Sequence, residues 1–173
     1  MPEREEMSWD DLGTGARALA EMVHGDGYRP DIILAIARGG LLVAGALGYV
    51  LGVKNLYTMN VEFYTDVDER LPVPMILPPV PEFVDLLESR VLIGDDVADT
   101  GQTLAVVKQF CEGKVGEVRC AVLYEKPRSV VSCEYVWRRT ERWIDFPWSA
   151  RPPVGEEPLA QIDLLEESVE AHA

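Results

Sequence analysis

The stretch Val91–Leu104, VLIGDDVADTGQTL, holds the side chains best suited to chemistry. An apolar run leads into three carboxylates, Asp95, Asp96 and Asp99, and then into Thr100, Gly101, Gln102 and Thr103, where a helical pattern begins. A helix N-terminus presents unpaired N–H groups and a partial positive charge, so Ala98 to Thr103 can wrap a phosphate. Gly101 lets the backbone approach closely, and Thr100 and Thr103 add hydroxyl donors. No Lys follows as in G-x-x-x-x-G-K-[ST], so a nucleoside triphosphate is not the natural ligand. The acids just upstream suit a vicinal diol. They also suit Mg2+, bound by Asp95 and Asp96 directly or through water, because that ion prefers oxygen ligands and keeps several waters. A ribose phosphate with a metal alongside satisfies all three features.

Such a turn needs elements to hold it. Ser8 to Asp11 reads as a capping box, and Leu12, Ala16, Leu19, Met22 and Val23 recur at helical spacing until Gly25 and Gly27. DIILAIA (31–37) is the near-continuous apolar run of a strand buried on both faces. A helix over 41–52, a strand over 55–64, a strand over 90–94, a helix over 103–113 and a strand over 117–125 follow, with a further short strand at 133–137. Residues 141–149, aromatic and broken by Pro147, read as a loop. Strand and helix alternate from 31 to 125, which predicts an α/β fold with a central, mostly parallel sheet flanked by helices. In such folds ligands bind beyond the carboxyl ends of the strands. Those ends carry ARGG, DDVADTGQT and EKP, so the candidate chemistry falls on one edge.

Five prolines in residues 65–82 exclude a regular helix or a central strand there, and predict a long loop or flap over 64–82. At the end of the first buried strand, Arg38 beside Gly39 and Gly40 can offer a guanidinium and close backbone amides to a diphosphate. Lys126 ends the 117–125 strand, where a lone Lys is ordinarily a solvated surface residue. Trp143 offers an aromatic face for a nucleobase, whose edge the backbone of Ile144 and Asp145 can read. The competing reading of that segment is a hydrophobic cluster of Trp143, Phe146 and Trp148. The run Gly13 to Ala18 matches the dinucleotide pattern G-x-G-x-x-A, but it follows no strand and lies inside a predicted helix.

The order hydrophobic-DD-x-x-D-T-G-x-T closely resembles the phosphoribosyl diphosphate (PRPP) motif of type I phosphoribosyltransferases. The Lys126-Pro127 pair and the aromatic-Ile-x-x-Pro-Trp stretch at 143–148 are similar to the bacterial xanthine-guanine enzymes, as are SWDDLGTGARALA and RGGLLVAGALGYVLGV. The resemblance covers residues 8–149. It implies the type I fold with a small C-terminal hood, a base-recognition segment over about 126–149, and one domain over 1–150. The tail from 151 to 173, Pro-rich and then acidic, is expected to be peripheral or partly disordered. It also implies that Arg38 and Gly39 bind diphosphate beside a strained peptide, and that Lys126 donates to the six-oxo group of a purine. The last role agrees with an ammonium that only donates hydrogen bonds. Asp99 would assist proton movement on the N7 side of the purine, with Asp95 and Asp96 orienting the sugar. The Pro-rich flap departs from the family pattern, with Tyr64 the counterpart of its flap tyrosine.

The whole chain is compatible with this. Its 173 residues suit one core, and its net charge of −14 disfavours nucleic acid and anionic membranes as partners. No apolar run is long enough for a membrane span, and the acidic N-terminus is neither a signal nor a transit peptide. The expected compartment is therefore the cytoplasm. Three cysteines without CxxC spacing argue against disulfides and zinc, and two histidines against a triad. The expected substrates are PRPP and xanthine, guanine or hypoxanthine, and the resemblance implies a homodimer or homotetramer. A sensor of PRPP or a nucleotide on the same fold, or a transferase with another acceptor, remains open. A response-regulator receiver does not, because no Asp lies between Asp99 and Lys126 to accept a phosphoryl group.

Overall fold

The computed structural model describes residues 3–64, 73–77 and 86–156. The elements run β1 (Arg4–Glu6), α1 (Trp9–Gly25), β2 (Ile32–Ala37), α2 (Gly39–Leu51), β3 (Leu56–Tyr64), β4 (Val73–Leu77), β5 (Arg90–Ala98), α3 (Gln102–Cys111), β6 (Glu117–Glu125), β7 (Tyr135–Arg139) and β8 (Trp143–Asp145). Two compact units emerge, one made of residues 1–9 and 142–173, the other of 10–141. Among the described residues, no helix is long and apolar enough to cross a membrane.

The larger unit is built on a six-stranded sheet ordered β4-β3-β2-β5-β6-β7. Five strands are parallel, and β4 runs antiparallel along the edge of β3. The α/β expectation holds, with a mostly parallel sheet between helices. One face presents Ile33 and Leu123 to α2 and α1, and the other presents Ile32, Leu34, Ile36, Val91, Ile93 and Val122 to Leu104, Val107 and Cys111 of α3. Burial on both faces explains why β2 is apolar at every position.

Two parts of the sheet differ from the sequence reading. The Pro-rich region is not all loop, because Val73–Leu77 pairs with β3, Phe63 opposite Pro74. An edge strand tolerates proline, having one side without a ladder to complete. The rest of the expected 64–82 flap, beyond Tyr64, lies outside the described residues, as does the tail from 157. Second, β5 does not stop at Gly94. It keeps pairing with β6 as far as Ala98, opposite Glu125, so the acid pair stands on the strand rather than in the turn.

The smaller unit pairs β1 with β8 in parallel, Glu5 opposite Ile144. The sequence reads as a loop over 141–149 and gives no element at 4–6: each strand is only three residues long, too short for a period to show. Ion pairs Arg4–Asp145 (2.6 Å) and Arg142–Glu3 (2.8 Å) flank the ladder. Phe146 stacks on Trp148 with ring centroids 4.8 Å apart, and Trp148 lies 5.9 Å from Trp9.

The sheet order reverses direction at β2, whose neighbours are β3 on one side and β5 on the other. That switch point opens a crevice at the carboxyl ends of β2 and β5. Helix α2 lies over it at unusually short range. A Cβ on Gly40 would stand 2.5 Å from the Gly94 carbonyl oxygen, and one on Gly94 would stand 3.2 Å from the Ala44 Cβ. The first obstacle is backbone in the middle of a buried sheet and cannot turn aside. Gly40→Ala is therefore expected to lower the thermal midpoint by roughly 2–12 °C, from an overpacking cost of about 1–3 kcal/mol. Calorimetry reads it, and an unchanged midpoint would contradict the close approach.

Candidate active site

The site grows from the ends of β2 and β5. The Ala37–Arg38 peptide is cis, and Arg38 occupies the N-cap position of α2 with an exposed side chain that makes no capping hydrogen bond. The first amides of α2 thus begin at Gly39, beside the acid pair. A Cβ on Gly39 would overlap the Asp96 carboxylate, and one on Gly40 would lie 3.0 Å from Asp95 Oδ1. The structure therefore brings Arg38, Gly39, Asp95 and Asp96 together, and sets Gly40, the second glycine of the doublet read in the sequence, against Asp95.

The two carboxylates differ in setting. Asp95 is buried and accepts the Asp96 amide on Oδ1 at 2.9 Å. Asp96 is half-buried and accepts the Val97 amide on Oδ1 at 2.8 Å. Burial, and then the neighbouring Asp96 charge, push the Asp95 carboxyl well above the usual carboxylate range. Among the described residues no group of three or more His, Cys, Asp or Glu could enclose a metal ion. An acid pair of hard oxygens still fits Mg2+, which keeps waters and takes further oxygens from a substrate's phosphates. Asp95 and Asp96 would hold that ion, whose charge would favour the ionised form that burial opposes.

The phosphate turn follows directly. Ala98 is buried at the end of β5, and Gly101 caps α3 at φ +76°, a conformation that L side chains rarely adopt. Thr100 Oγ1 accepts the Gln102 amide at 3.4 Å, and the Ala105 amide donates to the Gly101 carbonyl at 2.9 Å. The amides of Gln102 and Thr103 lie in the first turn of α3, as an anion site requires.

Lys126 is tied to this turn through the backbone, its amide donating to the Ala98 carbonyl at 2.9 Å. It is not the solvated lysine that its position in the sequence allowed, being only 7% exposed. The preceding Glu125 is also buried and accepts the Cys133 amide at 2.7 Å and Arg139 Nε at 3.0 Å, which pins the segment leaving β6. That segment carries Arg128, whose guanidinium pairs with Asp99. The sequence reading missed Arg128, and no local pattern marks it. Its partner lies 29 residues away, and only the β5–β6 register brings the two together.

Trp143, Ile144 and Asp145 belong to the smaller unit. Trp143 is 54% exposed, while the rings packed together are Trp9, Phe146 and Trp148. Ile144 is buried on β8. The Asp145 carboxylate holds Arg4, and its carbonyl accepts the Met7 amide at 3.0 Å.

The raised Asp95 pKa fixes a sign. The folded chain holds that proton more tightly than the unfolded chain, so stability is greatest below the ordinary carboxylate range and is lost as pH rises through the raised value. Asp95→Asn keeps an acceptor for the Asp96 amide and removes the buried charge. Without divalent cations its thermal midpoint should exceed that of the parent at pH 7.5 by roughly 2–4 °C, the gap closing toward pH 4. A parent midpoint equal or higher at pH 7.5 would contradict the burial argument.

Comparison with known proteins bears on this geometry. Residues 8–153 match the Phosphoribosyl transferase domain family. The chain is 31% identical over 149 residues to a xanthine-guanine phosphoribosyltransferase of Cereibacter sphaeroides, covering 82% of this chain and 84% of that protein. The crystal structure of a purine phosphoribosyltransferase from Pyrococcus horikoshii superposes with a TM-score of 0.76 at 36% identity, over 90% of this chain and 99% of the other. A Neisseria gonorrhoeae protein solved with bound ppGpp superposes with a TM-score of 0.72 at 25% identity, over 100% and 99%. On the family match and the Cereibacter relative, the chain belongs to the phosphoribosyltransferase family and is a PRPP-dependent transferase.

Proposed function

We propose that the chain transfers the 5-phosphoribosyl group of PRPP to a 6-oxopurine (xanthine, guanine or hypoxanthine) and releases diphosphate, as a purine salvage enzyme of the cytoplasm. The observation that carries the choice of acceptor is Lys126: a donor-only cation, buried at the end of β6 and bonded through its backbone to the strand end that bears Asp99. A carbonyl at C6 accepts from an ammonium, whereas the amino group of adenine does not. The name of the Cereibacter relative, a xanthine-guanine phosphoribosyltransferase, supports the same class of acceptor, and that of the Pyrococcus relative a purine.

In this reading the turn from Ala98 to Thr103 holds the 5′-phosphate, and Asp95 and Asp96 hold the ribose diol. Arg38 and the Gly39 amide hold the diphosphate at the start of α2. Trp143 offers its exposed face to the base, with the backbone of Ile144 and Asp145 reading the base edge. The bond from the anomeric carbon to the diphosphate oxygen breaks and its electron pair leaves with diphosphate. A ring nitrogen of the purine bonds to that carbon, and Asp99 takes up the purine's proton. The positive charge that builds on the sugar meets the acid pair, a case of charge stabilised where it develops. Mg2+, when bound, neutralises charge on the leaving diphosphate.

A second reading has one observation in its favour. The Neisseria protein, similar over its whole length, was solved with bound ppGpp. A site kept for binding a phosphorylated nucleotide, without transfer, would make the chain a sensor.

Diphosphate release from PRPP, with Mg2+ and each of xanthine, guanine, hypoxanthine, adenine and no base, separates the two. Release is expected only with 6-oxopurines. Asp99→Asn is expected to cut kcat by ~10²–10⁴-fold while PRPP still binds. No release with any base, while PRPP or ppGpp binds, would favour the sensor. Sedimentation of the same preparation reads the homodimer or homotetramer that the proposal includes, and a monomer would overturn that part.

A further inference from the structure

The loop that leaves β6 folds back over the phosphate turn. The Ser129 amide donates to the Lys126 carbonyl at 3.0 Å, and the Val130 amide to the Thr100 carbonyl at 2.8 Å. Gly101 has no room for a side chain, since a Cβ there would overlap Ser129 Oγ and stand 2.9 Å from the Val131 nitrogen. Arg128 is therefore carried on a short, doubly bonded turn.

From that turn its guanidinium reaches Asp99. Nε donates at 2.8 Å and a terminal nitrogen at 2.5 Å, both to Oδ1. An Arg–carboxylate pair is commonly bidentate, with one nitrogen on each oxygen. Here both donors converge on one oxygen, and Oδ2 accepts no hydrogen bond from the described residues. The side chains of Arg128 and Asp99 are 62% and 38% exposed. An ion pair so open to water adds little to stability. What it does add is orientation, in a side chain at the start of the turn that leads into α3.

We propose that Arg128 is a positioning residue for phosphoribosyl transfer: it fixes Asp99 through one carboxylate oxygen and leaves the other to take the acceptor's proton. The proposal rests on the reading of Asp99 as proton acceptor. The proton passes from the acceptor nitrogen to Oδ2 as the new bond to the anomeric carbon forms and diphosphate departs. The guanidinium neither gains nor loses a proton. Its positive charge also offsets the repulsion between the carboxylate and a dianionic 5′-phosphate bound nearby.

The test compares Arg128→Gln, Arg128→Lys, Asp99→Asn and the double variant Asp99→Asn/Arg128→Gln, by steady-state kinetics on the full chain. Arg128→Gln should lower kcat roughly tenfold and leave KM for PRPP within about threefold. Arg128→Lys should recover part of the loss, since its ammonium still holds one oxygen, and it keeps the test open if the Gln variant folds poorly. In the Asp99→Asn background, Arg128→Gln should cost nothing further, because the two act as one unit. Normal kcat in Arg128→Gln, losses that multiply in the double variant, or a loss confined to KM for PRPP would each overturn the proposal. The last result would make Arg128 a phosphate ligand. If the parent chain itself releases no diphosphate with any base, the reading of the reaction fails first, and the variants are not needed to see it.

Discussion

The site depends on how close helix α2 comes to strand β5. Gly39 and Gly40 put bare backbone against Asp96 and Asp95, and Gly94 clears the strand beneath Ala44. No side chain fits between them. That approach sets the first amides of the helix, with their partial positive charge, beside two carboxylates. It also buries Asp95, and burial holds its carboxyl in the protonated form over a wider range of pH than solvent would allow. A loosely packed helix would leave both acids solvated and ordinary. The two glycines differ in what they protect. Gly40 faces a backbone carbonyl that has nowhere to go, so it guards the fold. Gly39 faces the tip of the Asp96 side chain, which can swing, so it guards the position of the acid.

Charge is arranged locally against the global balance. A chain with net charge −14 repels anions at a distance. At the crevice the balance differs: Arg38 stands at the α2 cap, Lys126 at the end of β6, Arg128 over Asp99, and the amides of two helix starts share the same sheet edge. These groups come from three stretches of sequence, and the parallel register of β2, β5 and β6 brings their strand ends together. These polar groups gather at the strand ends because the middles of β2 and β5 are apolar and buried, with Asp95 and Asp96 lying in the last residues of β5.

Much of this was legible in the sequence, for physical reasons that can be named. The strand β2 announces itself because burial on both faces leaves no polar position. The turn at 98–103 does so because small and hydroxyl-bearing residues ahead of a helical pattern mark a helix start, which Gly101 caps. Besides the short β1–β8 pair, three features escaped. The acid pair sits on the strand because β6 continues to pair with it, a long-range fact with no local trace. The strand β4 hides behind its prolines, whose cost falls away at a sheet edge. The Arg128–Asp99 pair is a meeting of two loops, and an arginine in a loop looks like any other until its partner is known.

The proposed function stands on Gly39 leaving, by its lack of a side chain, the space that the Asp96 carboxylate fills beside the start of α2. Calorimetric titration of PRPP with Mg2+ into the Gly39→Ala chain tests it most directly, with thermal unfolding run alongside. The added methyl should push the carboxylate aside and weaken PRPP binding about tenfold or more, while the thermal midpoint stays within a few degrees of the parent. PRPP bound as tightly by Gly39→Ala as by the parent would contradict the account.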